Sequence, residues 1–254
     1  MVSGEQVMIT FPWPQDNEVH IHCLPLATDV ERYVSSDEMH RADLLLDPDK
    51  RNRFIAGRGL LREILGRYLE VQPEELLFVL GEQGKPYLCC SKDNNDRLHF
   101  NLSHSGALFL LAVAADREIG IDIEQLCTDT LFPDMARIAF SPREQNELFT
   151  LPEHLQRHAF YRCWTRKEAY LKACGTGFTQ YSNSFDVCLL PEAPALFSAP
   201  DDSSDWVLQD IAVPKDYCAA LAIKGSTPII RYMQPLIPRP AKEAAPGGKI
   251  TVNK

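Results

Sequence analysis

The stretch FYRCWTRKEAYLKACGTG, residues 160–177, sets a helical period against an abrupt stop. At about 100° per residue, Phe160, Cys163, Trp164, Lys167, Leu171 and Cys174 share one side. Gly175 follows the last periodic residue, so the spacing predicts a long helix over about 153–174 that ends there. Glu168 stands at the edge of the apolar stripe, one turn after Trp164, and Lys172 follows at i+4. Such a pair has two readings. It supports an isolated helix by a few tenths of a kcal/mol, or it turns two charges toward a ligand. Lys167, inside the stripe, needs an anion or a path to water.

Working outward, residues 49–70 carry a second strong helical period, with Phe54, Leu61, Leu65 and Tyr68 on one face. Alternating or apolar runs predict strands at 19–26, 76–81, 98–103, 107–114 and 118–124, then at 184–190, 206–213 and 217–224. The polar link after 114 suggests a hairpin between 107–114 and 118–124, and the last two strands suggest another. Residues 28–47 read as short helical pieces, and Ser141 caps a further helix. A long helix followed by a hairpin therefore occurs twice, at 50–124 and 153–224. The repeat suggests two similar α+β halves. The expected divisions are a loose lead-in (1–18), a first half (19–125), a second half (126–234) and a Pro/Gly/Ala-rich, disordered tail (235–254).

Composition narrows the function classes. A formal net charge of −9 over 254 residues opposes general nucleic-acid binding, which draws on a basic surface to displace counterions. The 8 cysteines form no metal-ligand spacing and read as reduced core thiols of a cytoplasmic protein. The N-terminus has no signal-peptide pattern, and no apolar run approaches the ~20 residues of a membrane span.

The chemistry concentrates in a few places. In IGIDIE, 119–124, Ile119, Ile121 and Ile123 alternate with Gly120, Asp122 and Glu124. A strand's period of two sends both carboxylates to one face while the isoleucines pack behind. That face is either solvent-exposed or a site for a hard cation such as Mg²⁺, which takes a few carboxylate oxygens plus substrate phosphates. FNLSHSG, 100–106, supplies Asn101, Ser103, His104, Ser105 and Gly106, which suit a turn and also a phosphate contact. Arg51, Arg58 and Arg62 fall on one side of the 49–70 helix. They read as a solvated basic face, most strongly at Arg51 and Arg62, or as an anion site. Gly84-Lys85-Pro86 forms a turn whose backbone can approach a ligand closely. Ser141, Pro142 and Glu144 make a capping box with proline at the first helical position, so a catalytic role of Glu144 would be additional.

Taken in order, the arginine helix around Arg58, GKP at 84–86, FNLSHSG at 100–106, GIDIE at 120–124, FSPRE at 140–144 and WTRKEAYLK at 164–172 resemble the Sfp-type 4′-phosphopantetheinyl transferases. The match covers roughly residues 15–225, and its most specific part is GIDIE followed some 40 residues later by W-x-x-K-E-A-x-x-K. The resemblance implies a pseudo-twofold α+β fold, each half a small antiparallel sheet packed with a long helix, with coenzyme A in the cleft between the halves. It implies transfer of the phosphopantetheine arm to a serine of an apo-carrier protein (acyl, peptidyl or polyketide), with release of 3′,5′-adenosine bisphosphate. By the same resemblance Asp122, Glu124 and Glu168 hold Mg²⁺, and Lys172 contacts the phosphate. Arg58, Ser103 and His104 hold the nucleotide end, and Gly84, Lys85 and Pro86 lie by the adenine. The carrier serine's proton goes to Glu168 or to a water held by Glu144. Leu131, Phe132, Met135 and Ile138 are either core or a dock for a carrier helix. A monomer with no nucleic-acid or membrane partner is expected. A non-catalytic coenzyme A-binding module and a Mg²⁺-dependent nucleotide hydrolase are the competing readings.

Overall fold

Two long helical periods and a set of alternating strands set the frame. The computed structural model describes residues 10–26, 29–89, 97–176, 182–191, 196–198 and 205–233. The expected disordered tail at 235–254 lies outside them, as do residues 1–9 of the lead-in. In chain order the strands are β1 (Glu18–Pro25), β2 (Phe78–Leu80), β3 (Pro86–Leu88), β4 (Leu98–Ser105), β5 (Leu108–Ala115) and β6 (Ile119–Gln125). They continue with β7 (Asp186–Val187), β8 (Leu196–Ser198), β9 (Trp206–Asp210), β10 (Tyr217–Lys224) and β11 (Ile229–Tyr232). The helices are α1 (Ser36–Asp43), α2 (Pro48–Leu69), α3 (Phe132–Ala139), α4 (Pro142–Thr150) and α5 (Glu153–Cys174). The fold is α+β.

Local chemistry explains the helix ends. The Asp47 carboxylate accepts from the amides of Asp49 (2.9 Å) and Lys50 (3.3 Å), and Pro48 follows it, so α2 starts there. α5 stops at Gly175, whose φ of +72° suits a residue without a Cβ. Leu60, Leu61, Ile64 and Leu65 are buried along α2 against Phe109, Leu111 and Val113 of β5. Each such side chain contributes about 1.5–3 kcal/mol.

The strands form a larger sheet of order β11-β1-β5-β4 and a second of order β6-β10-β9. The first is not the wholly antiparallel sheet expected, because β11 returns from the second half to pair parallel with β1. The alternate residues of β5, Leu110, Ala112 and Ala114, meet Ile119, Ile121 and Ile123 of β6 in a core shared by both sheets. The isoleucines thus pack behind β6, as the alternation requires. Beyond them Ala220 and Ala222 of β10 pack on Ala169 and Ala173 of α5. The order of layers is α2, first sheet, second sheet, α5.

Four other expectations change. Strands 108–115 and 119–125 are not a hairpin. β5 is already paired on both sides, by β1 and β4, so β6 crosses to pair antiparallel with β10. FNLSHSG is not a turn through most of its length, because β4 continues to Ser105. The described end of the lead-in is anchored, with the Phe11 amide donating to the Arg67 carbonyl (3.2 Å) and the Trp13 indole to the Tyr68 carbonyl (2.8 Å). Arg62 is not on a solvated face. It is 3% exposed and donates to Glu38 (2.6 Å) and to the carbonyls of Pro73 and Leu76 (2.9 Å each). Among the described residues no cysteine is in a disulfide, and no helix is long and apolar enough to cross a membrane.

Candidate active site

β4 and β6 run side by side where the two sheets meet, and polar side chains bridge them. Asn101 Oδ1 accepts from the Ile121 amide (2.9 Å), and Ser105 Oγ accepts from the Gln125 amide (3.0 Å). Between them the Ser103 hydroxyl donates to Asp122 Oδ1 (2.8 Å), and Ser105 donates to Glu124 Oε2 (2.7 Å). The alternation Asn101, Ser103, Ser105 is the sequence signal for this seam.

α5 closes the other wall, and Gly120 decides how closely. A Cβ at Gly120 would stand 2.1 Å from the Ala169 carbonyl oxygen and 2.4 Å from the Ala173 amide nitrogen. The helix backbone therefore rests directly on β6, as an isolated glycine inside a strand allows. That contact sets Glu168 and Lys172 beside Asp122. Lys172 Nζ donates to Asp122 Oδ1 (2.6 Å) and Ser103 Oγ (3.0 Å). Sequence reading gave Gly120 no role.

Ser103, His104, Asp122, Glu124, Glu168 and Lys172 line one cavity of about 320 Å³. It shares Leu102 and His104 with a cavity of about 170 Å³ bounded by Arg58, Gly84 and Pro86. It shares Leu102 and Lys172 with one of about 200 Å³ bounded by Gly84, Lys85 and Pro86. Shared walls make these lobes of one groove, running from Glu168 past Lys172 and His104 to the 84–86 turn. Arg58 reaches it while its Nε donates to the buried Glu38 (2.6 Å), a clamp sequence reading did not foresee.

The electrostatics follow from crowding acids into a poorly solvated wall. Burial first, and then the neighbouring Asp122 carboxylate, push Glu124 and Glu168 up to about 7. Burial and the Lys172 ammonium hold His104 below its ordinary value. Asp122 is 2% exposed, and its Oδ2 has no hydrogen-bond partner. A buried carboxylate oxygen without a donor, facing two acids that resist ionisation together, fits a divalent cation. Among the described residues no three acids, histidines or cysteines are placed to hold a metal ion by themselves. A cation here would take its other ligands from water and phosphate oxygens.

Residues 118–222 match the family described as the 4′-phosphopantetheinyl transferase superfamily, and residues 26–116 match its N-terminal family, 4′-phosphopantetheinyl transferase, N-terminal. The chain is 42% identical over 217 residues to the 4′-phosphopantetheinyl transferase HetI of a Nostoc species, covering 82% of this chain and 89% of that protein. The chain belongs to the 4′-phosphopantetheinyl transferase superfamily. The transferase Sfp of Bacillus subtilis is 30% identical over 207 residues, covering 75% of this chain and 89% of Sfp. AcpT of Escherichia coli is 32% identical over 173 residues, covering 62% of this chain and 83% of AcpT. The two family matches divide between 116 and 118, where the transferase chain leaves its first sheet for the second.

One residue of the expected catalytic set does not reach this transferase's groove. Glu144 is 0% exposed. One carboxylate oxygen accepts from the Val187 amide (2.8 Å). The other accepts from the Ser141 amide (2.8 Å) and the Lys167 ammonium (2.9 Å). Its capping box forms as expected, and Lys167 finds here the anion its place in the stripe demanded. Bonded on both oxygens and fully buried, Glu144 faces the core rather than a water of the groove. The 131–138 apolar set also divides. Phe132 and Met135 pack on the core, while Leu131 and Ile138 are 72% and 76% exposed.

Proposed function

We propose that this transferase moves the 4′-phosphopantetheine arm of coenzyme A onto a serine of apo-carrier proteins of the acyl, peptidyl or polyketide kind, with Mg²⁺ bound by Asp122, Glu124 and Glu168. The observation that carries the proposal is the single groove in which those acids, Lys172, Ser103 and His104 face one another beside an unpartnered Asp122 oxygen. The serine oxygen bonds to the phosphorus nearest the pantetheine arm. The bond from that phosphorus to the bridging oxygen breaks, and 3′,5′-adenosine bisphosphate leaves. Such a transfer depends mainly on placement and charge neutralisation. Mg²⁺, when bound, supplies charge withdrawal from the pyrophosphate.

The chain's own residues supply the rest. Lys172 offers an ammonium to the departing phosphate. Ser103 and His104 hold the nucleotide end from β4, Arg58 adds a guanidinium from α2, and the Gly84–Pro86 backbone borders the adenine. Glu168, at the edge of α5 facing the groove, is placed to take the serine proton. Leu131 and Ile138 give a carrier helix an apolar footing. The two halves, each with a 22-residue helix on a sheet, act as a pseudo-twofold pair around the groove. One chain supplies both groove walls, in keeping with a monomer, and the enzyme works in the cytoplasm. A binding module without activity finds no support in a groove that keeps all three acids and Lys172.

The test is to incubate the protein with coenzyme A, Mg²⁺ and a panel of apo-carriers and weigh each carrier. The expected result is the mass gain of one phosphopantetheine arm on at least one carrier. No gain on any carrier, with tight coenzyme A binding, would refute the proposal. Nucleotide release without a carrier would indicate hydrolysis instead.

A further inference from the structure

We propose that Lys85 is a positioning residue whose ammonium clasps the end of α5 to the start of β6 and so fixes Lys172 and Glu168 for the reaction. This rests on the transferase reading above and gives the Lys85 side chain a role beside that of the 84–86 turn near the adenine. An ammonium has three donors. Lys85 Nζ donates to the carbonyls of Lys172 (2.8 Å), Ala173 (3.2 Å) and Ile119 (3.2 Å), so all three are committed to backbone. Nothing remains on Nζ for a ligand unless one of these bonds breaks.

The acceptors matter as much as the donor. The last carbonyls of a helix lack their i+4 partners, so the Lys172 carbonyl accepts only a long bond from the Gly175 amide (3.3 Å) besides Lys85, and a cation there also meets the negative end of the helix dipole. Lys172 is held twice over. Its carbonyl is bound by Lys85, and its side chain reaches Asp122 and Ser103. Ile119 opens the strand that carries Asp122 and Glu124. One side chain from the β2–β3 hairpin therefore ties together the two elements that bear the acids. The hairpin is shaped for this, because Gly84 turns with φ +79° and the Gly81 amide donates to the Lys85 carbonyl (2.9 Å). Lys85 and Pro86 also border an adjoining cavity of about 350 Å³ bounded by Glu118 and Cys174.

The experiment compares Lys85→Met and Lys85→Arg with the full-length wild type, using coenzyme A, Mg²⁺ and a carrier that the wild type loads. Amide hydrogen exchange is followed without coenzyme A. For Lys85→Met the expected result is a fall in kcat of about 10- to 100-fold, with KM for coenzyme A within about threefold. Faster exchange at the Gly175 and Thr176 amides should accompany it. Lys85→Arg keeps the charge and several donors and is expected to retain most of the protection and turnover. It also serves if the methionine variant does not fold. A raised KM with kcat retained, unchanged exchange, or an arginine variant as impaired as the methionine one would overturn the clasp. A wild type that loads no carrier would instead refute the transferase reading, and the exchange data would still judge the clasp.

Discussion

Gly120→Ala adds one methyl group where no room exists. The new Cβ would lie 2.1 Å from the Ala169 oxygen, 2.4 Å from the Ala173 nitrogen and 2.9 Å from the Ala173 Cα. Ordinary contacts begin near 3.5 Å, so the helix must retreat from β6 by about 1 Å. No side-chain rotation relieves this, because the opposing atoms are all backbone. Overpacking of this kind costs about 1–3 kcal/mol. The larger effect falls on chemistry. Ala169 and Ala173 each adjoin a groove residue, Glu168 and Lys172, so the retreat moves both away from Asp122. A misplacement of about 1 Å lowers such a rate by about 100-fold. Urea denaturation reads the stability, and the initial rate of carrier loading at saturating coenzyme A reads the placement. A variant with the wild-type midpoint and wild-type rate would refute the claim that direct backbone packing at Gly120 sets the site.

Three further outcomes are expected. Glu144→Gln leaves the buried Lys167 ammonium with the Ser182 and Phe185 carbonyls (2.6 Å each) but without its anion, and should cost about 3–5 kcal/mol in denaturation, while folded protein keeps its loading rate within about threefold; a 100-fold loss would return Glu144 to the catalytic set. Glu168→Gln should abolish loading yet stabilise the metal-free protein at pH 8. Its folded carboxyl titrates near 7 against an ordinary 4.5, so the folded state holds a proton the unfolded state releases, and stability falls as pH rises through that window. Removing the charge should recover about 1–3 kcal/mol above pH 7 and almost nothing at pH 4; equal gains at both pH values would contradict this. His22 is buried against the Tyr68 hydroxyl (2.9 Å), and burial, then the charges of His20 and Arg67, lowers it from 6.5 to about 3. Its depressed value means that the unfolded state takes up a proton the folded state refuses. This should cost about 2 kcal/mol at pH 5 relative to pH 8. His22→Phe should flatten the loss between pH 6.5 and 4, and parallel curves would exclude His22 as its source.

Much of this was legible because it is local. The bounds of α5 follow from its period and from Gly175, and IGIDIE puts its acids and isoleucines on opposite faces by alternation alone. Lys167 announced a need for an anion. That Glu144 meets it was not legible, because the two are brought together by folding rather than by spacing, and a capping box gives no sign of burial. The crossing of β6 was hidden for a related reason. A short polar link suits a hairpin, and only the pairing of β5 with both β1 and β4 rules one out. Glu38, which clamps Arg58 and Arg62, lies on a separate helix, where its capping box with Ser35 gives no sign of the arginines. Gly120 was visible as a glycine within a strand, but what approaches it was not.

The most direct test of the central claim is divalent-cation binding with the substrate in place. Mn²⁺ binding, followed by electron paramagnetic resonance in the presence of coenzyme A, should weaken at least tenfold in each of Asp122→Ala, Glu124→Ala and Glu168→Ala. Wild-type Mn²⁺ affinity in all three variants would contradict the assignment of those acids to a single ion.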